Sequence, residues 1–292
     1  MTERARTPAE NAELALLLEV AGTPKPGNVD RHRDLDELRF EQFLAGSVGS
    51  ARGLRAAADG APLGEAFERA VRGMSRQSGG NTQFGCLLLL TPLVSVAGTA
   101  ELSPEAVRER CRATAVDDAV AFYRAFDHVD VAVGDPPEDA DALDARRGSD
   151  AEAALRARET TLWDVMALSA DPDDGVPDTN AAEWVDGFPR TFDAAEAILD
   201  DDGPVLDRAA RSFLRQLAAE PDTLVATTHG ESVAETVRER AASTLAAVER
   251  AESLDPAEEL AEAFVDEGIN PGTTADRVAA ALFVALERGL AV

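Results

Sequence analysis

Lysine is nearly missing from this chain: of 28 basic residues only Lys25 is a lysine, and the rest are arginine. Alternating β-branched runs are missing too, which excludes a sheet-based fold. The two cysteines, Cys86 and Cys111, have neither metal-ligand spacing nor a partner framework, so zinc sites and disulfide scaffolds are excluded. The longest apolar stretch, Cys86 to Ala97, is interrupted by Pro92 and is too short to span a bilayer. The segment Met1 to Glu10 is charged and has no apolar signal core, so the expected location is the cytoplasm. There is no basic stripe to neutralise phosphates along a polymer or an anionic bilayer, which argues against nucleic-acid and membrane partners. Walker A, Gly-x-Gly-x-x-Gly, nucleophile-elbow and zinc signatures are all absent.

What the chain has in excess is acid. Its 55 acidic residues against 28 basic ones give a formal charge of −27, spread along all 292 residues rather than gathered in a tail. With abundant alanine and almost no lysine, this composition points to a protein working in concentrated salt, where the Debye length falls to about 3 Å at 1 M. The length suits one large domain or two small ones, with roughly 75% of the unfolded surface buried on folding.

Alanine, leucine, arginine and glutamate dominate, all good helix formers. Helix starts are legible at Thr7-Pro8-Ala9-Glu10, Ser103-Pro104-Glu105 and Asp255-Pro256-Ala257-Glu258, each a capping residue or acid followed by proline. The pattern predicts about eleven helices, near 8–21, 36–58, 62–75, 82–97, 103–126, 150–168, 180–199, 204–219, 231–252, 256–267 and 273–288. Segments 129–149 and 170–179, rich in Asp, Pro and Gly, are expected as surface loops. The expected architecture is all-α, one compact multi-helix domain over residues 1–292.

Chemistry-bearing residues concentrate in three segments. The first runs from Glu19 through Thr23-Pro24-Lys25-Pro26-Gly27 to Asp30, His32 and Asp34. A lone ammonium between two prolines suits phosphate, which lysine binds as a point charge. If residues 30–34 are extended, Asp30, His32 and Asp34 fall on one side, where they would hold a divalent ion or position a nucleophile; judged alone, a solvated polar loop with a helix cap at Asp34 is the better account. The second, Ser78-Gly79-Gly80-Asn81-Thr82, opens a helix whose free N–H groups and dipole favour phosphate, though a capped turn accounts for it as well. The third, Asn270-Pro271-Gly272-Thr273-Thr274-Ala275-Asp276, opens the last helix in the same style, with Thr273 read as N-cap and Asp276 three positions on. Asp117 and Asp118 lie inside a helix, where a core-facing acid needs a cation or hydrogen bonds. His128 is expected to have no role, and Trp163 and Trp184 to serve the core.

Taken together and in order, these segments resemble the triphosphoribosyl-dephospho-coenzyme A synthase (CitG-like) family. Thr23 through Asp30 with His32-Arg33-Asp34-Leu35 resembles its Pro-Lys-Pro-Gly-x-Val-Asp and His-x-Asp-Met signature. Gly80-Asn81-Thr82 with Gly85 resembles its Asn-Thr-His-x-Gly motif, and Pro271 through Asp276 its Pro-Gly-x-x-Ala-Asp motif. The resemblance implies an all-helical transferase that uses ATP, with Mg²⁺, as triphosphoribosyl donor to dephospho-coenzyme A or a related acceptor and releases adenine. It implies phosphate binding by Lys25, Gly27, Asn81, Thr82, Gly272, Thr273 and Thr274, and metal binding by Asp30 and Asp276. Glu19, His32, Asp34 and Asp118 are the implied catalytic residues, with His32 as base. Substituting Lys25 by Met is then expected to abolish ATP binding and leave the fold intact.

This sequence departs from the family pattern at Gln83-Phe84, where His-Lys is usual, at Asn28 in place of Leu, and at Leu35 in place of Met. An arginine- and glycine-rich segment is matched only loosely, by Thr227-Thr228-His229-Gly230. The departures bear on the acceptor more than on the fold and leave room for another coenzyme, such as a pterin-type one. Two other functions compete: a non-catalytic nucleotide-binding or regulatory protein, and a structural interaction protein. The last requires no clustering of Glu19, Lys25, Asp30, His32, Asn81, Asp118 and Asp276.

Overall fold

A computed structural model describes residues 6–134, 141–172 and 176–292 of the chain. Among them there are fifteen α-helices, two short 3₁₀ helices and no strands. The helices are α1 (Pro8–Ala21), α2 (Phe40–Ala58), α3 (Leu63–Met74), α4 (Phe84–Thr99), α5 (Pro104–Arg112), α6 (Val116–Ala125), α7 (Glu152–Ala157), α8 (Leu162–Ala170), α9 (Thr179–Asp186), α10 (Pro189–Asp200), α11 (Val205–Ala219), α12 (Thr223–His229), α13 (Glu231–Ala251), α14 (Asp255–Asp266) and α15 (Gly272–Glu287).

The expected eleven became fifteen for local reasons. Three long predicted helices are each broken in two. Thr114-Ala115 separates α5 from α6, and the Asp118 side chain accepts the Ala115 N–H at 2.9 Å. Thr161 caps α8 and breaks it from α7, with Asp164 returning the bond in a capping box. Gly187, left-handed at φ 89°, ends α9 before Pro189 starts α10. The fourth addition, α12, is only seven residues long and carries no apolar stripe that would mark it in sequence. Part of the expected loop at 129–149 is helical, as 3₁₀ turns over Asp141–Leu143 and Ala145–Ala151. Residues 135–140 of that loop and 173–175 of the second lie outside the described residues.

The predicted starts at Thr7 and Ser103 hold: Thr7 and Glu10 form a full capping box, and Ser103 Oγ accepts from Ala106 N–H at 3.2 Å. Asp255 instead lies in the first helical turn of α14, with no side-chain cap at its start.

Two helices form the centre. From Thr273 to Leu286 every residue of α15 is buried except Asp276, which is half-buried, and the helix contacts α1, α4, α9, α10, α11 and α12. In α4 the run Cys86 to Ala97 is buried without a break, including Pro92. A helix apolar on all sides belongs inside a large core. No single described helix is long and apolar enough to cross a membrane, although α4 and α5, bent by 110°, pass such a test by length and composition together. Trp184 is buried and donates Nε1 to Leu88 O at 3.1 Å, while Trp163, half-buried, lies under the Arg112 guanidinium. Around this core, α2 and α3 cross on glycine: a Cβ on Gly49 would stand 2.3 Å from Gly73 O. The polar starts of α4, α9, α12 and α15 come together at one end of the core, and the loop after α1 lies against them.

Candidate functional site: a buried polar centre where helix starts meet

The loop leaving α1 is buried from Gly22 to Asp30, unusual for a segment with this much polarity. Its polar groups are satisfied internally, as burial requires. Asp30 is the hub, accepting Thr23 Oγ1 at 2.8 Å, Lys25 N–H at 3.2 Å, His32 N–H at 2.8 Å and Arg33 Nη1 at 3.1 Å. Asp30 and Arg33 also exchange backbone hydrogen bonds, so residues 30–33 form a tight turn. The turn corrects the extended reading: Asp30 faces inward, while His32 and Asp34 are exposed.

Lys25 is fully buried and pairs with the equally buried Glu19, and its Nζ also donates to Asn28 Oδ1 at 3.2 Å. The ammonium points into the protein rather than into bulk solvent. Burial raises the Glu19 pKa above the ordinary carboxylate value, and Lys25 offsets part of the rise. The expectation that Lys25→Met leaves the fold untouched does not survive this geometry. Removing the ammonium strands a buried carboxylate, which costs about 3–5 kcal/mol when one partner of such a pair is lost.

The first and third segments meet directly. Asn28 Nδ2 donates to Asn270 Oδ1 at 2.9 Å, and a Cβ on Gly27 would stand 2.1 Å from Ile269 O. Gly27, at φ 74°, therefore serves close backbone approach and a left-handed turn. The second segment meets the third through Asp276. Its Oδ1 accepts Cys86 Sγ at 3.2 Å, its Oδ2 accepts Asn180 Nδ2 at 2.8 Å, and a Cβ on Gly85 would stand 1.9 Å from Oδ2. Asp276 lies in the second turn of α15, because the helix begins at Gly272 with Pro271 as N-cap. This corrects the reading of Thr273 as N-cap and of Asp276 as its capping-box partner.

Burial pushes the Asp276 carboxyl up to about 7; Cys86 and Asn180 hold it down, while the charges of Glu19 and Asp222 push it further up. Burial likewise raises the Cys86 thiol well above its usual value, with Asp276 and Glu19 adding to the rise. Asp276 is thus a group that changes protonation near neutrality inside a low-dielectric site.

Four helix starts surround these residues. Asp222, a buried acid not singled out from sequence, caps α12 through Leu224 and Val225 N–H and also accepts Thr274 N–H and Oγ1, at 2.7 and 2.8 Å. Thr223 Oγ1 donates to Thr273 Oγ1 at 3.0 Å and lies 3.4 Å from Thr179 Oγ1. The starts of α9, α12 and α15 therefore adjoin, and α4 joins them through Gly85 and Cys86. Helix starts carry partial positive charge, and here buried acids use it: Asp178 caps α9, and Asp222 takes first-turn N–H groups of both α12 and α15. Asn180 was also missed; its neighbours Asp178 and Thr179 write only a helix start, and nothing local marks a residue that reaches 96 positions along the chain to Asp276.

The other sequence candidates lie farther out. Asn81 Oδ1 accepts Phe84 N–H at 3.1 Å, so it caps α4. Thr82 is half-buried, and its Oγ1 has no hydrogen-bond partner. Gln83 and Phe84, the departures from the family pattern, both turn inward. Gln83 Nε2 bonds Ser47 Oγ at 3.0 Å, and Phe84 stacks edge-on with Phe67 and Phe126. Asp118 is spent on structure: Oδ1 accepts Gly64 N–H at 2.8 Å and Oδ2 accepts Ala115 N–H. His32, Arg33 and Asp34 line a cleft of about 360 Å³ with Glu262, Val265 and Asp266 of α14. Arg33 bonds Asp30 inside and Glu258 outside, linking the cleft to the buried centre.

The residues expected to hold a metal do not fit one. The Asp30 oxygens already accept four donors, and both Asp276 oxygens accept one each. Among the described residues no three His, Cys, Asp or Glu side chains are grouped to hold a metal ion.

Fold and site define an all-helical protein with an internal polar centre assembled from three distant loops. The profile of the CitG family, described as ATP:dephospho-CoA triphosphoribosyl transferase, matches residues 5–291, and the chain belongs to that family. A solved structure of a candidate triphosphoribosyl-dephospho-coA synthase from Archaeoglobus fulgidus is similar to it, with a TM-score of 0.65 and 28% identity over 85% of this chain and 99% of that one. No protein with a curated description matches.

Proposed function

We propose that this protein transfers the triphosphoribosyl group of ATP to dephospho-coenzyme A or a closely related coenzyme, releasing adenine. The supporting observation is the approach of all three motif segments to one another: Lys25–Asn28, Gly85–Cys86 and Asn270–Asp276, beside four helix starts. In the reaction, an acceptor hydroxyl oxygen bonds to the ribose carbon that carries adenine. The carbon–nitrogen bond breaks, adenine takes up a proton, and the hydroxyl proton goes to a base. The carbon passes through a cation-like state, which nearby carboxylates stabilise. Asp276, with its pKa near neutrality, is suited to deliver the proton to adenine. Glu19 and Asp30 supply negative charge, and the helix starts with Asn81, Thr82, Gly272, Thr273 and Thr274 face the triphosphate. His32 and Asp34, at the exposed cleft, receive the acceptor, with His32 as base. In this reading Lys25 organises the site through Glu19 and Asn28, and any Mg²⁺ arrives on the triphosphate oxygens.

A second reading, nucleotide binding without transfer, is favoured by the inward-turned Gln83 and Phe84, which leave the usual His-Lys functions unfilled. Incubation with ATP and dephospho-coenzyme A in concentrated KCl, followed by mass spectrometry, separates the two. Transfer gives free adenine and an acceptor heavier by one triphosphoribosyl group. ATP binding with neither product supports the second reading.

A further inference from the structure

Asn180 is 5% exposed, and its two amide atoms are treated very differently. Nδ2 donates to Asp276 Oδ2 at 2.8 Å, and the ionised carboxylate, which accepts and does not donate, holds the amide in this orientation. Oδ1, facing the other way, is buried with no hydrogen-bond partner. A buried amide oxygen left without a donor costs about 1–3 kcal/mol, so a native site that keeps one has a use for it. Its place is specific. Asn180 is the second residue of α9, held by its own N–H to Asp178 Oδ1 at 2.8 Å, and Thr179 beside it adjoins the starts of α12 and α15. The free acceptor therefore stands beside Asp276, where the first N–H groups of α9, α12 and α15 are already bonded to Asp178 and Asp222.

We propose that Asn180 Oδ1 accepts a hydrogen bond from an N–H or O–H donor on the nucleoside part of the bound nucleotide. This rests on the ATP-dependent reading above and adds to it the residue that reads the nucleoside. A lone acceptor in the same site suits the part of the ligand that donates: the adenine amino group or a ribose hydroxyl. Asn180 thereby also positions Asp276, holding its carboxyl next to the group it protonates.

The test is calorimetric binding in concentrated KCl of ATP, inosine triphosphate, 2′- and 3′-deoxy-ATP and inorganic triphosphate to the wild type, Asn180→Leu and Asn180→Asp. Asn180→Leu should weaken ATP about tenfold, the scale of one buried hydrogen bond, and change inorganic triphosphate less than about twofold. One analogue should show the same loss on the wild type and no further loss on Asn180→Leu. Inosine triphosphate in that role identifies the adenine amino group, and a deoxy analogue identifies the ribose hydroxyl. Asn180→Asp, which keeps an acceptor, should retain the preference for ATP over that analogue while shifting the pH profile of adenine release. It also serves if the leucine variant does not fold. Unchanged ATP affinity in Asn180→Leu, equal losses for ATP and inorganic triphosphate, or loss of the preference in Asn180→Asp would overturn the inference while leaving ATP binding by the wild type standing. A wild type that binds no ATP would overturn the underlying reading itself.

Discussion

Asn28 and Asn270, 242 positions apart in the chain, share a hydrogen bond of 2.9 Å that joins the first motif to the last. Asn28 also receives the Lys25 ammonium, so the residue that departs from the family's usual leucine is the one tying the two loops together. Replacing it by leucine leaves Asn270 Oδ1 and a lysine N–H without partners. Asn28→Leu should cost about 1–3 kcal/mol in urea unfolding, with the helical spectrum unchanged. A neutral result would mean that the two loops are held by packing at Gly27 alone.

Lys25 and Glu19 should behave as a unit. Lys25→Met alone is expected to destabilise by about 3–5 kcal/mol, because a buried carboxylate loses its cation. Lys25→Met combined with Glu19→Gln should recover a large part of that loss. A double-mutant cycle by chemical unfolding measures the coupling, and additive effects would contradict the buried pair.

The three segments were legible in the sequence because each carries glycine, proline and polar residues in a pattern that an ordinary loop does not need. Helix content was legible from composition, and the breaks at Thr161 and Gly187 were not, since a cap inside an apolar-periodic stretch leaves the period intact. Lys25 stood out in the sequence, but its environment did not: sequence shows a lone lysine and cannot show that Glu19, in the last turn of α1, is paired with it. Asp118 stood out as a core-facing acid, yet its oxygens close the starts of α3 and α6. Asn180 and Asp222 escaped notice because each is written as part of an ordinary helix start, and only tertiary packing turns them toward α15.

Gly85 should matter to the site more than to stability. The atom that an added Cβ would meet is the end of the Asp276 side chain, which can swing away, whereas at Gly49 it is the backbone oxygen of Gly73. Gly85→Ala is therefore expected to fold with a loss below about 1 kcal/mol and to reduce adenine release at least about tenfold. Gly49→Ala should lose about 1–3 kcal/mol of stability and leave the Asp276 environment unchanged. Thermal unfolding together with the release assay checks the pair.

Asp276 also makes a signed prediction about pH. Its folded pKa is raised to about 7, so between about pH 4 and 7 the folded chain holds a proton that the unfolded chain has lost. The Asp276 contribution to stability is fully present below the unfolded value, falls as pH rises through the folded value, and is flat above it. Asp276→Asn removes this dependence, so the variant should gain on the wild type steadily across that window. Parallel stability curves would mean that the carboxyl is not buried as described.

Turnover in the proposed reaction rests on proton delivery from this centre to a departing adenine. The most direct test follows adenine release from ATP and dephospho-coenzyme A against pH, in concentrated KCl, for the wild type and Asp276→Asn. The wild type should turn over and lose activity as pH rises through about 7, while Asp276→Asn is slower by at least about a hundredfold and lacks that limb. An Asp276→Asn enzyme with wild-type rate and the same pH profile would contradict it.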